Sequence, residues 1–148
     1  MINIEFVKGE WAIDSKIDET EAGRESLKIA GLHNKYYNML IDAKHQQRDN
    51  FYRRNKYYKL KWDYYLGNLS KEECDKYGFD AYQLNRKILR QDVNIFLDAD
   101  AELCKMQKVL DDDKILVEYI MSIMSSLGSR SYEITNYINW NKFMAGMA

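Results

Sequence analysis

The chain has no proline among its 148 residues, and this absence constrains the fold more than any other feature. Proline breaks helices because its ring removes a backbone donor and clashes with the preceding turn. From about residue 18, apolar side chains recur at the three-, four- and seven-residue steps of one helical face. They are Leu27, Ala30, Tyr37, Leu40 and Ile41. We therefore predict an all-α protein with long helices in a small bundle.

Glycine stops and N-cap residues predict where several helices begin and end. The first helix is predicted to continue, as one long or once-broken helix, until Gly67 ends it. Ser70 and Glu73 then form the capping box of a short helix that Gly78 closes. Asp80 follows as the predicted N-cap of another helix.

The second half of the chain carries apolar residues at heptad spacing, which is typical of packed helices. They are Phe96, Leu103, Leu110, Val117 and Met124, accompanied by Ala99, Met106, Ile120 and Leu127. Asp113 takes the one polar place in the second series. Gly128 is predicted to end this run, and Ser129 or Ser131 to cap a last helix.

Charge is segregated along the chain, although the formal net charge is only -1. Residues 33–90 carry thirteen basic against seven acidic side chains, and both flanking segments are net acidic. Within this middle region, residues 44–65 hold seven lysines and arginines, two acids and seven aromatics. Cations neutralise phosphates and rings stack on unpaired bases, so this composition favours a surface for single-stranded nucleic acid.

The helical period of ~100° per residue separates the rings of this segment into two faces. Phe51, Tyr58, Trp62 and Tyr65 share a stripe with Leu40 and are predicted to be core. The opposite face is predicted to bind the strand, with Lys59 on a side face near Tyr52 and Arg48. The predicted DNA-binding residues are Arg53, Arg54, Lys56, Tyr57, Lys59, Lys61 and Tyr64.

The C-terminal segment is apolar on two sides of a helix. Such a helix is either deeply buried within its own domain or covered by other copies of the chain, and we favour self-association. The predicted contacts are Ile134, Ile138, Trp140 and Phe143.

The N-terminal segment leaves two descriptions open, because Ile2, Ile4 and Phe6 alternate before Gly9. This pattern suits either an extended arm or a frayed helix. We divide the chain, one domain overall, into three parts. They are an N-terminal arm (1–17), a helical core that binds single-stranded DNA (18–128) and a C-terminal oligomerisation helix (129–148).

Several classes of protein find no support in the sequence. There is no phosphate-binding loop, and His33 and His45 stand without a matched nucleophile or metal-ligand spacing. The acids at residues 111–113 are better explained by a helix break and N-cap than by a metal site. Cys74 and Cys104 follow no motif and are interpreted as reduced thiols. We predict a soluble, cytoplasmic protein that is not an enzyme, uses no cofactor or metal and has no membrane partner.

The order and spacing of several short stretches resemble the UvsY recombination mediators of T-even-type phages. The resemblance covers roughly residues 18–148, whereas the first seventeen residues match poorly. The stretches are Lys59-x-Lys61 before Asp63-Tyr64-Tyr65, Leu97-Asp98-Ala99-Asp100, Ser129-Arg130 and Phe143-x-Ala145-Gly146.

The resemblance implies a non-catalytic DNA recombination, repair and replication protein in an infected bacterial cell. Such a mediator binds single-stranded DNA and promotes loading of the phage recombinase onto strands covered by single-strand binding protein. It forms a ring-like homo-oligomer, in the hexamer or heptamer range, through its C-terminal part. The family's paired basic residues correspond to Lys59 and Lys61, and lysine at both places favours phosphate neutralisation.

Two alternatives remain open at the level of sequence. A non-catalytic oligomeric adaptor protein would use the basic face to bind an acidic protein, without salt-sensitive DNA binding. An RNA-binding module fits the basic aromatic face equally well.

Overall fold

The computed structural model describes residues 1–81 and 88–147, and within them it has helices and no strand. Two helices are 44 residues long, as the absence of proline permits. The prediction of an all-α fold is confirmed. A helix beginning after Asp80 would lie largely outside the described residues. The elements are α1 (Ile4–Asp14), a 3-10 turn (Glu19–Glu21), α2 (Ala22–Tyr65), α3 (Lys71–Tyr77), α4 (Val93–Asp98) and α5 (Ala101–Met144).

The chain forms two compact units, to which both long helices contribute. The terminal unit contains Met1–Gln46 and Asp113–Ala148, and the central unit contains Gln47–Asp112. Each unit has its own apolar core.

The core of the terminal unit is mainly aliphatic and includes the second half of the heptad pattern. Ile120 is fully buried, and burying such a side chain stabilises the fold by about 1.5–3 kcal/mol. Asp113, the polar residue of the heptad pattern, has a hydrogen-bond partner, because Gln46 Nε2 donates to its Oδ1 at 2.6 Å. The core residues are Val7, Tyr36, Leu40, Ala43, Leu116, Val117, Ile120, Ile123 and Leu127.

The N-terminal segment is a helix and not an extended arm. Asn3 caps α1 through its side chain, and Val7 is completely buried in the terminal core. At the other end, the guanidinium of Arg130 donates to the carbonyls of Asp14 and Ser15, each at 3.0 Å. These bonds satisfy acceptors that the end of a helix leaves free.

The predicted helix break at residues 111–113 and the predicted helix end at Gly128 are both wrong, because α5 continues through them to Met144. Glycine inside a helix costs about 1 kcal/mol relative to alanine. Leu127 and Ile134 are 1% and 4% exposed on either side of it. Burial of these side chains outweighs the local cost, so neither Ser129 nor Ser131 begins a helix.

The central unit is built around Val93, Leu97 and Leu103, against which the rings of α2 pack. Three residues of the predicted core stripe, Tyr58, Trp62 and Tyr65, are among them, and this part of the prediction is confirmed. Phe51 is 49% exposed, so its assignment to the core is wrong.

The predicted helix stops at Gly67 and Gly78 and the predicted capping box are confirmed. Gly67 follows the end of α2 with a φ of 76°, and Gly78 closes α3 with a φ of 71°. Both values lie in the left-handed region that glycine adopts without strain. Ser70 and Glu73 form the capping box of α3 in both directions.

Candidate nucleic-acid interface

Lys61 is held inside the central unit. Its side chain is 12% exposed, and its Nζ lies 3.1 Å from Asp100 Oδ2. A cation gains electrostatic stabilisation from ring faces, in addition to its ion pair. The prediction that Lys61 lies on an exposed strand-binding face is therefore wrong. Four ring centroids lie between 4.1 and 5.8 Å from Lys61 Nζ, those of Phe79, Tyr64, Tyr65 and Tyr57.

Asp100 connects α2 to the beginning of α5. Its Oδ2 accepts a 2.8 Å hydrogen bond from the Tyr65 hydroxyl, and its Oδ1 accepts bonds from the backbone N–H groups of Glu102 and Leu103. Burial alone would raise the pKa of Asp100. The bonds from Leu103, Tyr65 and Lys61 outweigh burial and hold this pKa below its usual 3.8. Asp100 is therefore ionised at neutral pH and forms a true ion pair with Lys61.

Tyr64 also belongs to the interior of the central unit, and Tyr57 is half-buried against it. Tyr64 is 5% exposed, and its hydroxyl donates to the carbonyl of Asp80 at 2.7 Å. Tyr57 packs against the central core, and burial, with the charges of Asp100 and Glu102, raises its pKa to about 12. The prediction that these rings are exposed for base stacking is wrong.

A different side of α2 carries an exposed basic and aromatic surface. Tyr52 is 57% exposed, and Lys56 and Lys59 lie four and seven residues further along the helix. The Lys59 side chain is 72% exposed, although it pairs with Asp63 at 2.8 Å. Arg48 precedes Tyr52 by four residues. We call Arg48, Tyr52, Lys56 and Lys59 the basic surface.

Arg53 and Arg54 occupy different surroundings at the border of this surface. Arg53 is exposed, whereas Arg54 is half-buried with its guanidinium 4.9 Å from the Tyr58 ring centroid. The Nε of Arg54 is buried without a hydrogen-bond partner in the described structure. Arg53 is thus available to a ligand from solvent, while Arg54 is mainly a packing residue.

Tyr52 is an exposed residue of the basic surface that the predicted DNA-binding set does not include. The sequence pattern predicts it beside the interface, but in the structure it lies on the same exposed side as Lys56 and Lys59. Its four- and seven-residue spacing to Lys56 and Lys59 was the available signal. Phe51, whose ring centroid lies 5.9 Å from that of Tyr52, adds a second exposed ring.

The four predicted oligomerisation residues divide into two pairs. Ile134 is 4% exposed and Ile138 is half-buried, so the terminal unit itself covers much of this pair. Trp140 and Phe143 are 59% and 62% exposed, with ring centroids 5.8 Å apart. Exposed rings of this size are the part of the helix that remains available to a partner.

In the described ranges no group of acidic, histidine or cysteine side chains is arranged to hold a metal ion. The same residues contain no helix long and apolar enough to cross a membrane.

A protein-family comparison assigns the chain to a known group. Residues 10–147 match the family model described as "Recombination, repair and ssDNA binding protein UvsY". The chain belongs to the UvsY family. A search among curated proteins finds no significant match.

Solved structures of a family member have the same fold. The crystal structure of the bacteriophage T4 recombination mediator protein UvsY in lattice type II superposes with a TM-score of 0.81 at 21% identity, covering 98% of this chain and 99% of that one. The lattice type I structure gives 0.77 at 20% identity, covering 93% and 97%. At these identities the likeness establishes the architecture, while the roles of individual residues rest on their geometry here.

Proposed function

We propose that this protein is a recombination mediator that binds single-stranded DNA and promotes loading of a recombinase onto strands covered by single-strand binding protein. The observation that carries the proposal is the basic surface of α2 in a member of the UvsY family. Its lysines and Arg48 neutralise phosphates, and Tyr52 offers a ring to an unpaired base. Lys61, Tyr57 and Tyr64 act indirectly, by fixing α2 within the central unit.

Single-strand binding is tested with the double variant Lys56→Ala/Lys59→Ala. Each lost phosphate contact lowers the slope of log affinity against log salt by about 0.7 for a single strand, so the expected change is about 1.4 for each protomer engaged. Fluorescence anisotropy with a labelled oligonucleotide at several salt concentrations measures this slope. Duplex DNA should bind more weakly, because its stacked bases are not available to Tyr52.

The matched control is Lys8→Ala/Lys114→Ala, which removes two exposed lysines with exposed partners from the terminal unit. It should leave the salt slope unchanged. Equal losses in the two double variants would refute the basic surface as the binding site. Competition with unlabelled RNA separates a DNA mediator from an RNA-binding module.

We further propose that protomers assemble through the exposed end of α5, into a ring-like oligomer. Several basic surfaces acting on one strand make each further contact intramolecular, so affinity for long strands rises without new contacts. Trp140→Ala/Phe143→Ala should lower the mass measured by sedimentation and weaken binding to long strands much more than to short ones. Deletion of residues 129–148 is unsuitable, because it also removes the buried Arg130 and Ile134.

The control for assembly is Tyr132→Ala, since Tyr132 is 71% exposed on the same helix outside this ring pair. It should retain the mass of the unmodified protein. A Trp140→Ala/Phe143→Ala variant of unchanged mass would contradict the assembly proposal. Recombinase loading is then measured as strand exchange on DNA covered by single-strand binding protein, where both the DNA-binding and the assembly variants should be defective.

A further inference from the structure

A groove lies between α2 and α5 within the central unit, beside the basic surface. Its volume is about 200 Å³. Sites for drug-sized ligands are larger, at roughly 300–1,000 Å³. The groove therefore has room for one small group and not for a drug-sized ligand. It is lined by Asn50 and Arg53 from α2 and by Glu102, Lys105, Met106 and Val109 from α5.

The lining combines cations with apolar side chains. Arg53 and Lys105 are both exposed, and the Lys105 side chain is 76% exposed. The groove is also lined by Met106, which is half-buried, and Val109, which is 43% exposed. Methionine adapts its shape to a ring, and its sulfur makes favourable contacts with aromatic groups. A planar ring flanked by negative charges matches this lining.

The groove is also continuous with the basic surface along α2. Arg53 precedes Lys56 by three residues, and residues at this spacing are neighbours on a helix surface. A strand that contacts Lys59 and Lys56 therefore reaches Arg53 next, and Lys105 across the groove from it.

We propose that this groove is a subsite for one nucleotide of single-stranded DNA. The base lies against Met106 and Val109, and Arg53 and Lys105 neutralise the adjoining phosphates. The proposal rests on the single-strand binding proposed above, and it adds α5 to an interface that the sequence had assigned to α2 alone.

Glu102 sets the charge balance of the groove. Its Oε2 lies 3.5 Å from Lys105 Nζ, and the two side chains are 48% and 76% exposed. A carboxylate in this position competes with a phosphate for Lys105. It also repels the phosphate, because both groups are negatively charged. Removing its charge should therefore strengthen DNA binding, an effect that a purely structural role of Glu102 would not produce.

The first experiment compares Lys105→Ala with Lys108→Ala, which removes an exposed lysine from the same helix outside the groove. Lys105→Ala should weaken binding to a single-stranded oligonucleotide roughly threefold to tenfold and reduce the salt slope by about 0.7 for each protomer engaged. Lys108→Ala should leave both unchanged. Light scattering and thermal melting on the same samples check that mass and stability are maintained.

The second experiment measures Glu102→Gln under the same conditions, with an expected gain of about twofold to threefold in affinity. Unchanged affinity in Lys105→Ala, or equal losses in Lys105→Ala and Lys108→Ala, would overturn the subsite. A loss of affinity in a folded Glu102→Gln variant would also count against it. Failure of the unmodified protein to bind the oligonucleotide would instead remove the proposed function itself, so the two failures are distinguishable.

Discussion

The two units contain the same arrangement of tyrosine, aspartate and lysine at different depths. In the terminal unit, Asp14 Oδ2 accepts from Tyr36 at 2.9 Å and from Lys35 at 2.6 Å. In the central unit, Asp100 Oδ2 accepts from Tyr65 at 2.8 Å and lies 3.1 Å from Lys61. We call these the terminal and central triads.

Burial of the charged pair distinguishes the triads more than their bonding does, whereas the tyrosines differ the other way, with Tyr36 completely buried and Tyr65 half-buried. The Lys35 and Asp14 side chains are 33% and 19% exposed, whereas those of Lys61 and Asp100 are 12% and 5% exposed. A partly exposed ion pair contributes less than a buried one, because water can solvate both partners when they separate. A buried charge that loses its partner has no such compensation. Loss of the lysine should therefore be tolerated in the terminal triad, whereas in the central triad it should destabilise the fold strongly.

The surroundings of the lysines follow the same division. Lys61 lies among four rings, whereas Lys35 lies 5.5 Å from the Tyr36 ring centroid and also pairs with Glu10. The terminal core is filled mainly by aliphatic side chains of α2 and α5, and it also buries the Tyr36 ring completely, so it depends less on the charged pair of its triad. The central core has three aliphatic residues at its centre and depends on rings and an ion pair to hold α2 against α5.

The largest expected difference between the triads comes from removing their lysines. Lys61→Met should lower the free energy of unfolding by about 3 kcal/mol, near the lower end of the cost of breaking a buried ion pair, because Asp100 retains its other hydrogen bonds. Lys35→Met should cost about 0.2–1 kcal/mol. Urea denaturation followed by circular dichroism measures both.

Lys59→Met provides the control, since Lys59 lies two residues from Lys61 with its side chain 72% exposed. It should stay within about 0.5 kcal/mol of the unmodified protein. Equal destabilisation by Lys61→Met and Lys35→Met would show that burial does not separate the triads. Loss of DNA binding in a Lys61→Met protein that remains folded would show that Lys61 contacts DNA directly.

A smaller effect, common to both triads, is expected from pH. Burial and a hydrogen bond to the aspartate raise the pKa of Tyr36 and Tyr65 above the usual 10. Their contribution to stability is therefore complete below about pH 10 and is lost as the pH rises towards the folded-state pKa. The aspartates behave oppositely. Their pKa is lowered from 3.8, so their contribution is present above about pH 4 and is lost in acid.

Tyr36→Phe and Tyr65→Phe should each flatten the loss of stability between pH 10 and pH 11, because phenylalanine does not ionise. Urea midpoints measured at a series of pH values test this, with Tyr132→Phe as the exposed control. A flattened profile in only one of the two variants would show that the triads differ in their tyrosines as well as in their lysines.

The sequence alone determined the helical class of the fold and several of its helix ends. Without proline, and with apolar residues at helical steps, the chain forms two helices of 44 residues. The stops at Gly67 and Gly78 and the capping box at Ser70 are local, since each depends on backbone conformation or on a bond to a residue three positions away. The failure at Gly128 has a tertiary cause, because the burial of its neighbours overrides its weak helix propensity.

The assignment of charged residues to core or surface was decided only by the tertiary structure. A helical period shows which residues share a face, but it does not show which face another helix covers. Lys61 and Lys59 look alike in sequence, and the partner that separates them, Asp100, lies 39 residues beyond Lys61 at the start of α5. Contacts across such separations depend on how α2, α4 and α5 pack. The composition of residues 44–65 therefore predicted a nucleic-acid surface, while the packing of α5 determined which of its lysines and rings remain exposed to bind.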